Sequence, residues 1–326
     1  MRVFLTGATG FIGPALARDL LAQGHEVIGL ARTDAAADRL RAIGVQPHRG
    51  SLKEPDTLRR AAGAADGVIH LAYTFSPGDL PLGRLLGAVL GGAPWRTVPR
   101  MMRAITATND AALDAIGMAL EGSGRPLVTA FATMGVAGAP GHQASRAATE
   151  ADGPNPDSAG YVRSVSEARV RRWAERGVRA SIVRLAPAVH GSGDTGLIPQ
   201  LAQAARKQGE VLYVDDGAQR WTGVHHGDAV TLFRLALEQG AAGGVYHGVG
   251  DPGLSYREIA TIMGKRLGLP VRAGTSAQAR RQLGFTAPFV ATDNPVASDG
   301  TRRELGWTPV GPTLREDLEG PAYFRN

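Results

Sequence analysis

The feature that most constrains the fold is the glycine-rich stretch near the amino terminus. An apolar run at residues 3–5 leads directly into Gly7-x-x-Gly10-x-x-Gly13, and a helical pattern of apolar residues follows. Gly7 allows a tight turn, Gly10 lets the backbone approach a pyrophosphate, and Gly13 lets the helix pack against the strand. A strand, a glycine turn and a helix in this order predict a dinucleotide-binding site, with a purely structural turn as the alternative.

Strand-like and helix-like patterns alternate through the first half of the chain. Such alternation is typical of parallel βαβ units, so we predict an α/β fold with a Rossmann-like, doubly wound parallel sheet. The predicted strands are residues 3–5, 27–30, 45–48, 67–72, 126–130 and 180–184, and the predicted helices after the glycine turn include 34–43, 56–62, 105–120 and 161–176.

The pattern loosens after Pro187. Short strands are predicted at residues 211–213, 224–226 and 245–247, with helices at 197–208, 229–239 and 256–267. We predict a dinucleotide-binding domain over residues 1–186 and a smaller mixed α/β substrate-binding lobe over residues 187–326, with some segments returning to the Rossmann core. Ligands of open α/β sheets bind at the carboxyl ends of the strands, and a second lobe would close over that crevice.

The composition narrows the classes of partner. The 326 residues include no cysteine, which excludes disulfides and thiolate zinc sites, and the adjacent histidines 225 and 226 have no suitably spaced carboxylate, so we expect no metal. The net charge is +6, but the arginines are scattered without interleaved aromatics, which argues against a nucleic-acid partner. The apolar stretch at 80–93 is too short to span a bilayer. We therefore expect no membrane partner, no signal peptide and a cytoplasmic protein.

Motifs along the whole chain carry a family resemblance. They are TGATGFIG at residues 6–13, VIHLA at 68–72, Tyr161 heading a helix with Ser164 and Glu167, Arg184, Arg220 ahead of VHHGD at 224–228, and ELGWTP at 304–309. The chain resembles the extended (atypical) short-chain dehydrogenase/reductases, a group of NAD(P)-dependent epimerases, dehydratases and ketone reductases. The resemblance implies the fold and a nicotinamide cofactor but not the substrate, because this fold supports many chemistries.

The resemblance also implies a catalytic triad of Ser or Thr, Tyr and Lys, with Lys four residues after Tyr. Thr133 has the spacing of the family's serine and would hydrogen-bond a substrate oxygen, unless it only reflects β-propensity; Tyr161 fits the proton donor, unless it is a helix-start aromatic facing solvent. Val165 stands where the lysine is expected, and neither Arg163 nor Arg169 is predicted to replace it. A phenol without that cation stays protonated, so it serves better as an acid than as a base. This favours carbonyl reduction over alcohol oxidation.

The end of the second predicted strand indicates which cofactor binds. An acidic residue there would hydrogen-bond the ribose and repel a 2′-phosphate. Ala31 occupies that position and Arg32 follows, and because arginine pairs well with phosphate we predict NADP(H), with an ordinary surface arginine as the alternative. The cofactor-binding residues that the resemblance implies are Gly7, Thr9, Gly10, Phe11, Ile12, Gly13, Arg32, Leu52, Leu71, Ala72, Tyr73, Tyr161, Pro187 and Val189.

Four of the predicted substrate-binding residues follow strands of the predicted sheet, namely Thr74, Thr133, Met134 and His190, and the fifth, Arg220, precedes the short strand predicted at 224–226. His190 would either donate to a substrate oxygen or cap its own loop. Arg220 resembles the family position that holds sugar-nucleotide phosphates, and a structural ion pair is the alternative.

The stretch at about 74–103 is longer than a βα loop needs to be. Long loops in compact domains are usually functional or mobile. We predict an apolar lid over an apolar small-molecule substrate, with a helix that forms a homodimer or ordinary core filling as alternatives. Its apolar residues are Phe75, Leu80, Leu82, Leu85, Leu86, Val89, Leu90, Trp95, Val98, Met101 and Met102.

These features together predict an NADPH-dependent reductase of a carbonyl or C=N group on a hydrophobic small molecule. The cofactor would supply the hydride and Tyr161 the proton. One alternative is a redox-neutral epimerase or dehydratase of a nucleotide sugar, and another is a non-catalytic NADP(H)-binding sensor.

Overall fold

A seven-stranded parallel sheet forms the centre of the fold in the computed structural model, which describes residues 1–75, 77–93, 96–321 and 323–324. The strand order is β3-β2-β1-β4-β5-β6-β10, so the chain winds outward from β1 in one direction and then crosses to the other side at β4. This confirms the predicted doubly wound, Rossmann-like sheet. The strands are β1 (Arg2–Thr6), β2 (Glu26–Ala31), β3 (Gln46–Arg49), β4 (Gly67–His70), β5 (Pro126–Ala132), β6 (Arg179–Leu185) and β10 (Val245–Gly248).

The other strands form two small sheets, and fourteen α-helices connect the strands of the described residues. One small sheet has the order β11-β9-β7 and the other pairs β12 with β8. Their strands are β7 (Ala188–His190), β8 (Val211–Val214), β9 (Arg220–His225), β11 (Asp251–Ser255) and β12 (Val271–Gly274). The helices are α1 (Gly13–Ala22), α2 (Asp34–Arg41), α3 (Pro55–Gly63), α4 (Leu82–Leu90), α5 (Thr97–Leu120), α6 (Tyr161–Ser164), α7 (Glu167–Glu175), α8 (Leu197–Gln208), α9 (His226–Gln239), α10 (Tyr256–Leu267), α11 (Ser276–Leu283), α12 (Ala287–Val290), α13 (Asp299–Leu305) and α14 (Leu314–Glu319).

The chain divides into two compact units. The first comprises Met1–Ala130, Ser166–Ile182 and Phe233–Gly244, and the second comprises Phe131–Val165, Val183–Leu232 and Val245–Asn326. The second unit has its own apolar core, in which the rings of Trp221 and Tyr256 lie 5.3 Å apart. The domain boundary after residue 186 stays a prediction.

Strand β1 is buried on both faces, which explains its continuous apolar run. Val3, Phe4 and Leu5 have no exposed surface, and the strand pairs in parallel with β2 on one side and β4 on the other. Its last residue, Thr6, is also buried, and its hydroxyl lies 2.8 Å from His70 Nδ1 and accepts a hydrogen bond from the Ala72 amide. The ends of the two central strands are therefore fixed to each other by polar contacts.

The segment at 74–103 is not the long loop that the sequence predicts. It contains a short 3₁₀ turn at Pro77–Asp79, then α4, and α5 begins at Thr97, eight residues before the predicted start at 105. The Arg100 guanidinium donates to the carbonyls of Ala88 and Ala93 at 2.9 and 3.0 Å and thereby fastens the end of α4 to α5. Trp95 lies outside the described residues.

One face of α4 is exposed although it is apolar. Leu82, Leu86, Val89 and Leu90 recur at helical spacing and are all exposed, whereas Ala88 is buried. An exposed stripe excludes core filling for these four side chains and leaves a lid or an interface. None of the described helices is long and apolar enough to cross a membrane.

Two further differences concern helices in the middle of the chain. The predicted helix at 161–176 is interrupted after α6, where the Ser166 hydroxyl donates to Asp110 at 2.5 Å. The helix predicted at 229–239 begins at His226, directly after β9. Strands β7, β11 and β12 and helices α11–α14 were not predicted, because elements this short show little periodicity.

A buried polar network in the second unit is built on Arg184. This residue is fully buried, and its Nη1 donates to the Asp152 carbonyl at 2.8 Å and to His247 Nε2 at 3.2 Å. His247 in turn donates from Nδ1 to the Ala297 carbonyl at 2.8 Å. Burial lowers the pKa of His247 to about 4, so the ring is neutral at neutral pH and accepts from the arginine.

The network predicts a loss of stability in mild acid. The unfolded chain protonates this histidine near pH 6.5, whereas the folded protein does so only near pH 4, so stability falls as the pH drops through that window. Between pH 7.5 and 5 we expect the free energy of unfolding to fall by about 2 kcal/mol more in wild type than in His247→Gln, from about 1.4 kcal/mol per pKa unit. Urea unfolding at both pH values measures this difference. His142→Gln, at an exposed histidine, is the control. Equal pH dependence of wild type and His247→Gln would contradict the prediction.

Candidate active site

The glycine turn after β1 has the close contacts that its sequence predicts. Gly7 has a φ of +73°, and a Cβ there would lie 3.0 Å from the Ala72 amide nitrogen. A Cβ on Gly13 would lie only 2.1 Å from the Gly7 carbonyl oxygen. Both positions therefore require glycine. Gly10 is exposed, and a Cβ there would meet only the Gly7 carbonyl, at 3.3 Å.

The N-terminus of α1 fits an anionic group. Among the described residues no side chain caps the helix, its first turn carries no acidic residue, and Pro14 lies in that turn. Backbone N–H groups at such an end attract phosphate oxygens. The contacts of the turn and the uncapped helix thus suit the pyrophosphate of a dinucleotide. Of the other predicted cofactor-binding residues in the first unit, Thr9 is exposed, Phe11, Ile12, Leu71, Ala72 and Tyr73 are half-buried, and Leu52 is buried.

At the end of β2, where the sequence predicts the residues that select the cofactor, a cation lies beside a carboxylate. Ala31 is buried, and the Arg32 side chain that follows is 65% exposed. Arg32 Nη1 donates to Asp79 Oδ1 at 2.8 Å. The arginine is accessible, which both the predicted phosphate contact and an ordinary surface arginine would require, and it has an acidic partner that the sequence did not reveal.

The chain leaving β4 is held by an asparagine that sequence reasoning missed. Asn109 of α5 accepts from the Thr74 amide at 2.8 Å and donates to the Thr74 carbonyl at 3.2 Å. Thr74 is itself buried. This burial leaves its side chain little surface for the substrate contact that the sequence predicted.

In the second unit, two glycines bring the helix that carries Tyr161 against the 3₁₀ turn at Thr133–Gly135. A Cβ on Gly160 would lie 2.6 Å from the carbonyl carbon of Met134, and a Cβ on Gly135 would lie 1.6 Å from Ser164 Oγ. The Gly135 carbonyl also accepts from the Asn155 amide and the Ser158 hydroxyl, at 2.9 and 3.1 Å. The structure therefore brings together the segments of the two predicted catalytic residues. Tyr161 is half-buried, and Met134 is buried.

Thr133 is not free to donate to a substrate in this conformation. Its hydroxyl donates to Asn294 Oδ1 at 2.8 Å, and Asn294 Nδ2 donates back to the Thr133 carbonyl at 3.1 Å. Both residues are fully buried. The predicted substrate contact of Thr133 stays a prediction, and the structure shows that its hydroxyl proton is already donated within the protein.

Arg220 forms the structural ion pair that the sequence left as an alternative. Its Nε and Nη2 donate to the two carboxylate oxygens of Asp293 at 3.0 and 2.6 Å, and its own amide donates to Asp293 at 2.7 Å. Burial alone would raise the pKa of Asp293, but the hydrogen bonds from Arg220 outweigh it and lower the pKa. The arginine side chain stays 46% exposed, although its charge is neutralised.

His190 is turned away from solvent, contrary to its predicted substrate contact. The ring is fully buried, and Nδ1 donates to Asp317 Oδ2 at 2.6 Å. Nε2 has no hydrogen-bond partner among the described residues. The contact fastens β7 to α14, which is a structural role different from the predicted cap of its own loop. Pro187 and Val189, which precede it in the chain, are half-buried.

At Val165, where the resemblance implies the family's lysine, each of the two nearby arginines contacts a group other than the Tyr161 hydroxyl. The Val165 amide donates to the Tyr161 carbonyl one helical turn earlier, and its side chain is 41% exposed. Arg169 pairs with Asp110 at 3.0 Å and with Asp114. The Arg163 guanidinium lies 5.9 Å from the centre of the Phe131 ring.

The close approach at Gly160 predicts a site-specific loss of stability. Gly160→Ala places a Cβ against backbone atoms that cannot move independently, so we expect the free energy of unfolding to fall by about 1–3 kcal/mol. Gly138→Ala is the matched control, because a Cβ there meets nothing within 4 Å. Urea unfolding of both variants measures the difference. Equal stability of the two would show that α6 does not depend on this contact.

Comparisons with known proteins find relatives that match most of the chain. The chain is 38% identical to an uncharacterized protein of Schizosaccharomyces pombe over 99% of this chain and 100% of that protein. It is 26% identical to the 4-hydroxy-2-methyl-3-oxo-4-farnesyl-3,4-dihydroquinoline-1-oxide ketoreductase of Stigmatella aurantiaca, over 87% of this chain and 80% of that protein.

Among solved structures, the chain is similar to the dTDP-glucose 4,6-dehydratase DesIV of Streptomyces venezuelae. The TM-score is 0.73 at 22% identity, over 99% of this chain and 96% of that one, and the structure contains NAD. A model of the NAD dependent epimerase/dehydratase family matches residues 3–79 and 101–248. The chain belongs to the NAD dependent epimerase/dehydratase family, and this membership supports an NAD(P)-dependent, oxidoreductase-type activity.

Proposed function

We propose that this protein is an NADPH-dependent reductase of a carbonyl or C=N group on a hydrophobic small molecule. Two facts taken together carry the proposal. Tyr161 is half-buried, and Val165 lies where the resemblance implies the family's lysine. A reductase needs the phenol only as an acid, whereas an epimerase or dehydratase that first oxidises its substrate needs it as a base. Without a cation to stabilise a tyrosinate, the acid role is favoured.

The state of Arg220 argues against a nucleotide sugar. Arg220 resembles the family position that holds sugar-nucleotide phosphates. Here, however, its guanidinium is neutralised by the buried Asp293. Transferring it to a substrate phosphate would leave that buried carboxylate without its cation, with only backbone amides as donors, which is costly. The ion pair is therefore better explained as structural.

The exposed apolar face of α4 supports an apolar substrate. Four leucine and valine side chains of this helix are exposed at helical spacing. The relative from Stigmatella aurantiaca is named for the reduction of a farnesylated ketone, which is a large apolar substrate. The proposed lid would bury such a substrate, and each buried side chain contributes about 1.5–3 kcal/mol.

The residues have distinct roles in the proposed reaction. When bound, the cofactor supplies the hydride. The N-terminal turn of α1 would hold its pyrophosphate and Arg32 its 2′-phosphate. The Tyr161 hydroxyl donates a proton to the oxygen or nitrogen that gains charge. The Thr133 hydroxyl donates its hydrogen bond to Asn294, so we assign Thr133 the role of a positioning residue.

The proposed cofactor preference is tested at Arg32. We expect NADPH to bind wild type at least tenfold more tightly than NADH, a difference of about 1.4 kcal/mol that is modest for a charge-assisted pair. Arg32→Ala should remove most of this preference, whereas Arg39→Ala, at an exposed arginine of the following helix, should preserve it. Fluorescence titration of both cofactors measures the affinities. Equal affinities of wild type for NADPH and NADH would contradict the assignment to NADP(H).

The proposed proton donor is tested at Tyr161. Tyr161→Phe should lower kcat by roughly 100-fold while NADPH affinity stays nearly constant, as for loss of a general acid. Tyr213→Phe, at another half-buried tyrosine, should keep its activity. NADPH consumption with a panel of apolar ketones provides the assay.

The other outcomes of this assay separate the competing functions. If Tyr161→Phe stays active, Tyr161 lines the pocket and is not the proton donor. If wild type consumes no NADPH but converts a nucleotide sugar, the protein is an epimerase or dehydratase. Tight NADPH binding without any turnover would indicate a sensor.

A further inference from the structure

Two basic side chains contact the same short turn at the adenosine end of the proposed cofactor site. Arg32, directly after β2, donates to the Asp79 carboxylate at 2.8 Å. Lys53, just before α3, donates from Nζ to the Gly78 carbonyl at 2.9 Å. Both acceptors belong to the 3₁₀ turn at Pro77–Asp79, so this turn is held by two cations from the first unit.

The charges of this cluster are only partly neutralised. Asp79 supplies one negative charge to Arg32, whereas Lys53 contacts a neutral carbonyl and forms no ion pair with a carboxylate among the described residues. Two cations facing one carboxylate leave a net positive charge. A phosphate monoester carries a charge of about −1.5 to −2 and three strong acceptor oxygens, so it would satisfy both cations better than Asp79 does.

The contact with Asp79 is also easy to exchange. The side chains of Arg32 and Asp79 are 65% and 37% exposed, and exposed ion pairs of this kind contribute little to stability. Moving the carboxylate into water leaves no buried charge behind. A ligand phosphate can therefore replace Asp79 without disturbing the core.

We propose that Arg32 and Lys53 form the 2′-phosphate site of NADP(H), and that Asp79 occupies this site as a competing anion in the cofactor-free protein. The proposal rests on the proposed NADPH-dependent function. It makes Lys53 a further phosphate-binding residue and Asp79 a determinant of cofactor affinity. Cofactors with a 2′-phosphate displace Asp79, whereas those without one leave it on Arg32.

The displacement has a consequence for the proposed lid. The turn at 77–79 lies directly before Leu80, which is buried, and α4 begins two residues later. Releasing Asp79 from Arg32 removes one of the two contacts that hold this turn. Binding of the 2′-phosphate thus loosens the start of the exposed apolar helix, so that cofactor loading prepares the lid for substrate.

Adenosine fragments test the proposal without any substrate. Adenosine 2′,5′-bisphosphate and 5′-AMP differ only by the 2′-phosphate, and calorimetric titration gives the affinity of each. We expect Asp79→Asn to tighten the bisphosphate by about 3–10-fold, because it removes a competing charge, and Lys53→Met to weaken it by about tenfold. Neither variant should change 5′-AMP binding more than about twofold. Glu121→Gln is the matched control, because it removes an equally exposed carboxylate from Arg176.

Hydrogen exchange supplies a second readout. The amides of residues 80–90 should exchange faster when the bisphosphate is bound to wild type, and 5′-AMP should leave them unchanged. In Asp79→Asn these amides should already exchange faster without ligand. Circular dichroism melting confirms that each variant is folded, which is expected because all the substituted side chains are exposed.

The results distinguish this proposal from the function on which it rests. If wild type binds both fragments equally, the NADP(H) assignment fails and the phosphate site with it. If wild type prefers the bisphosphate but Asp79→Asn binds it no more tightly, Asp79 is not a competitor and the NADP(H) assignment stands. Unchanged binding in Lys53→Met would remove Lys53 from the site.

Discussion

The predicted cofactor site depends on one contact. The glycine turn after β1 packs closely against the chain that leaves β4. Gly7 lies against the chain leaving β4, and Gly13 lies against Gly7 itself, at distances that no side chain would allow. The Thr6 hydroxyl connects the same two strand ends through His70 and the Ala72 amide. Because β1 and β4 flank the point where the strand order reverses, this packing places the uncapped start of α1 at the expected ligand crevice.

The second unit is organised by buried polar groups that satisfy one another. Asn294 holds the Thr133 hydroxyl and carbonyl, and the adjacent Asp293 holds Arg220. Buried polar groups are costly when unpaired, so such pairs fix a single local arrangement. They position the turn on which the helix of Tyr161 packs, and they also explain why two predicted substrate contacts are already occupied within the protein.

The arginines of this chain are mostly committed to structural partners. Arg169 pairs with two aspartates of α5, Arg184 donates a hydrogen bond to a buried histidine, and Arg100 fastens α4 to α5. Arg32 instead forms one of several exposed ion pairs of the described residues, as Arg176 does with Glu121. The scattered basic residues that give the chain its positive charge therefore stabilise the fold at Arg100, Arg169 and Arg184, whereas Arg32 has the ligand contact that we propose.

The sequence by itself determined the elements whose signals are local. The glycine turn after β1 followed from spacing, and α8 at Leu197–Gln208 and α10 at Tyr256–Leu267 have the predicted bounds, because their apolar residues recur every three or four positions over twelve residues. The tertiary structure decided the side-chain pairings. Asn294 is 161 residues from Thr133, Asp317 is 127 from His190, and Asp79 is 47 from Arg32. No periodicity or motif records such contacts, because they exist only after the folded backbone brings distant segments within hydrogen-bond distance.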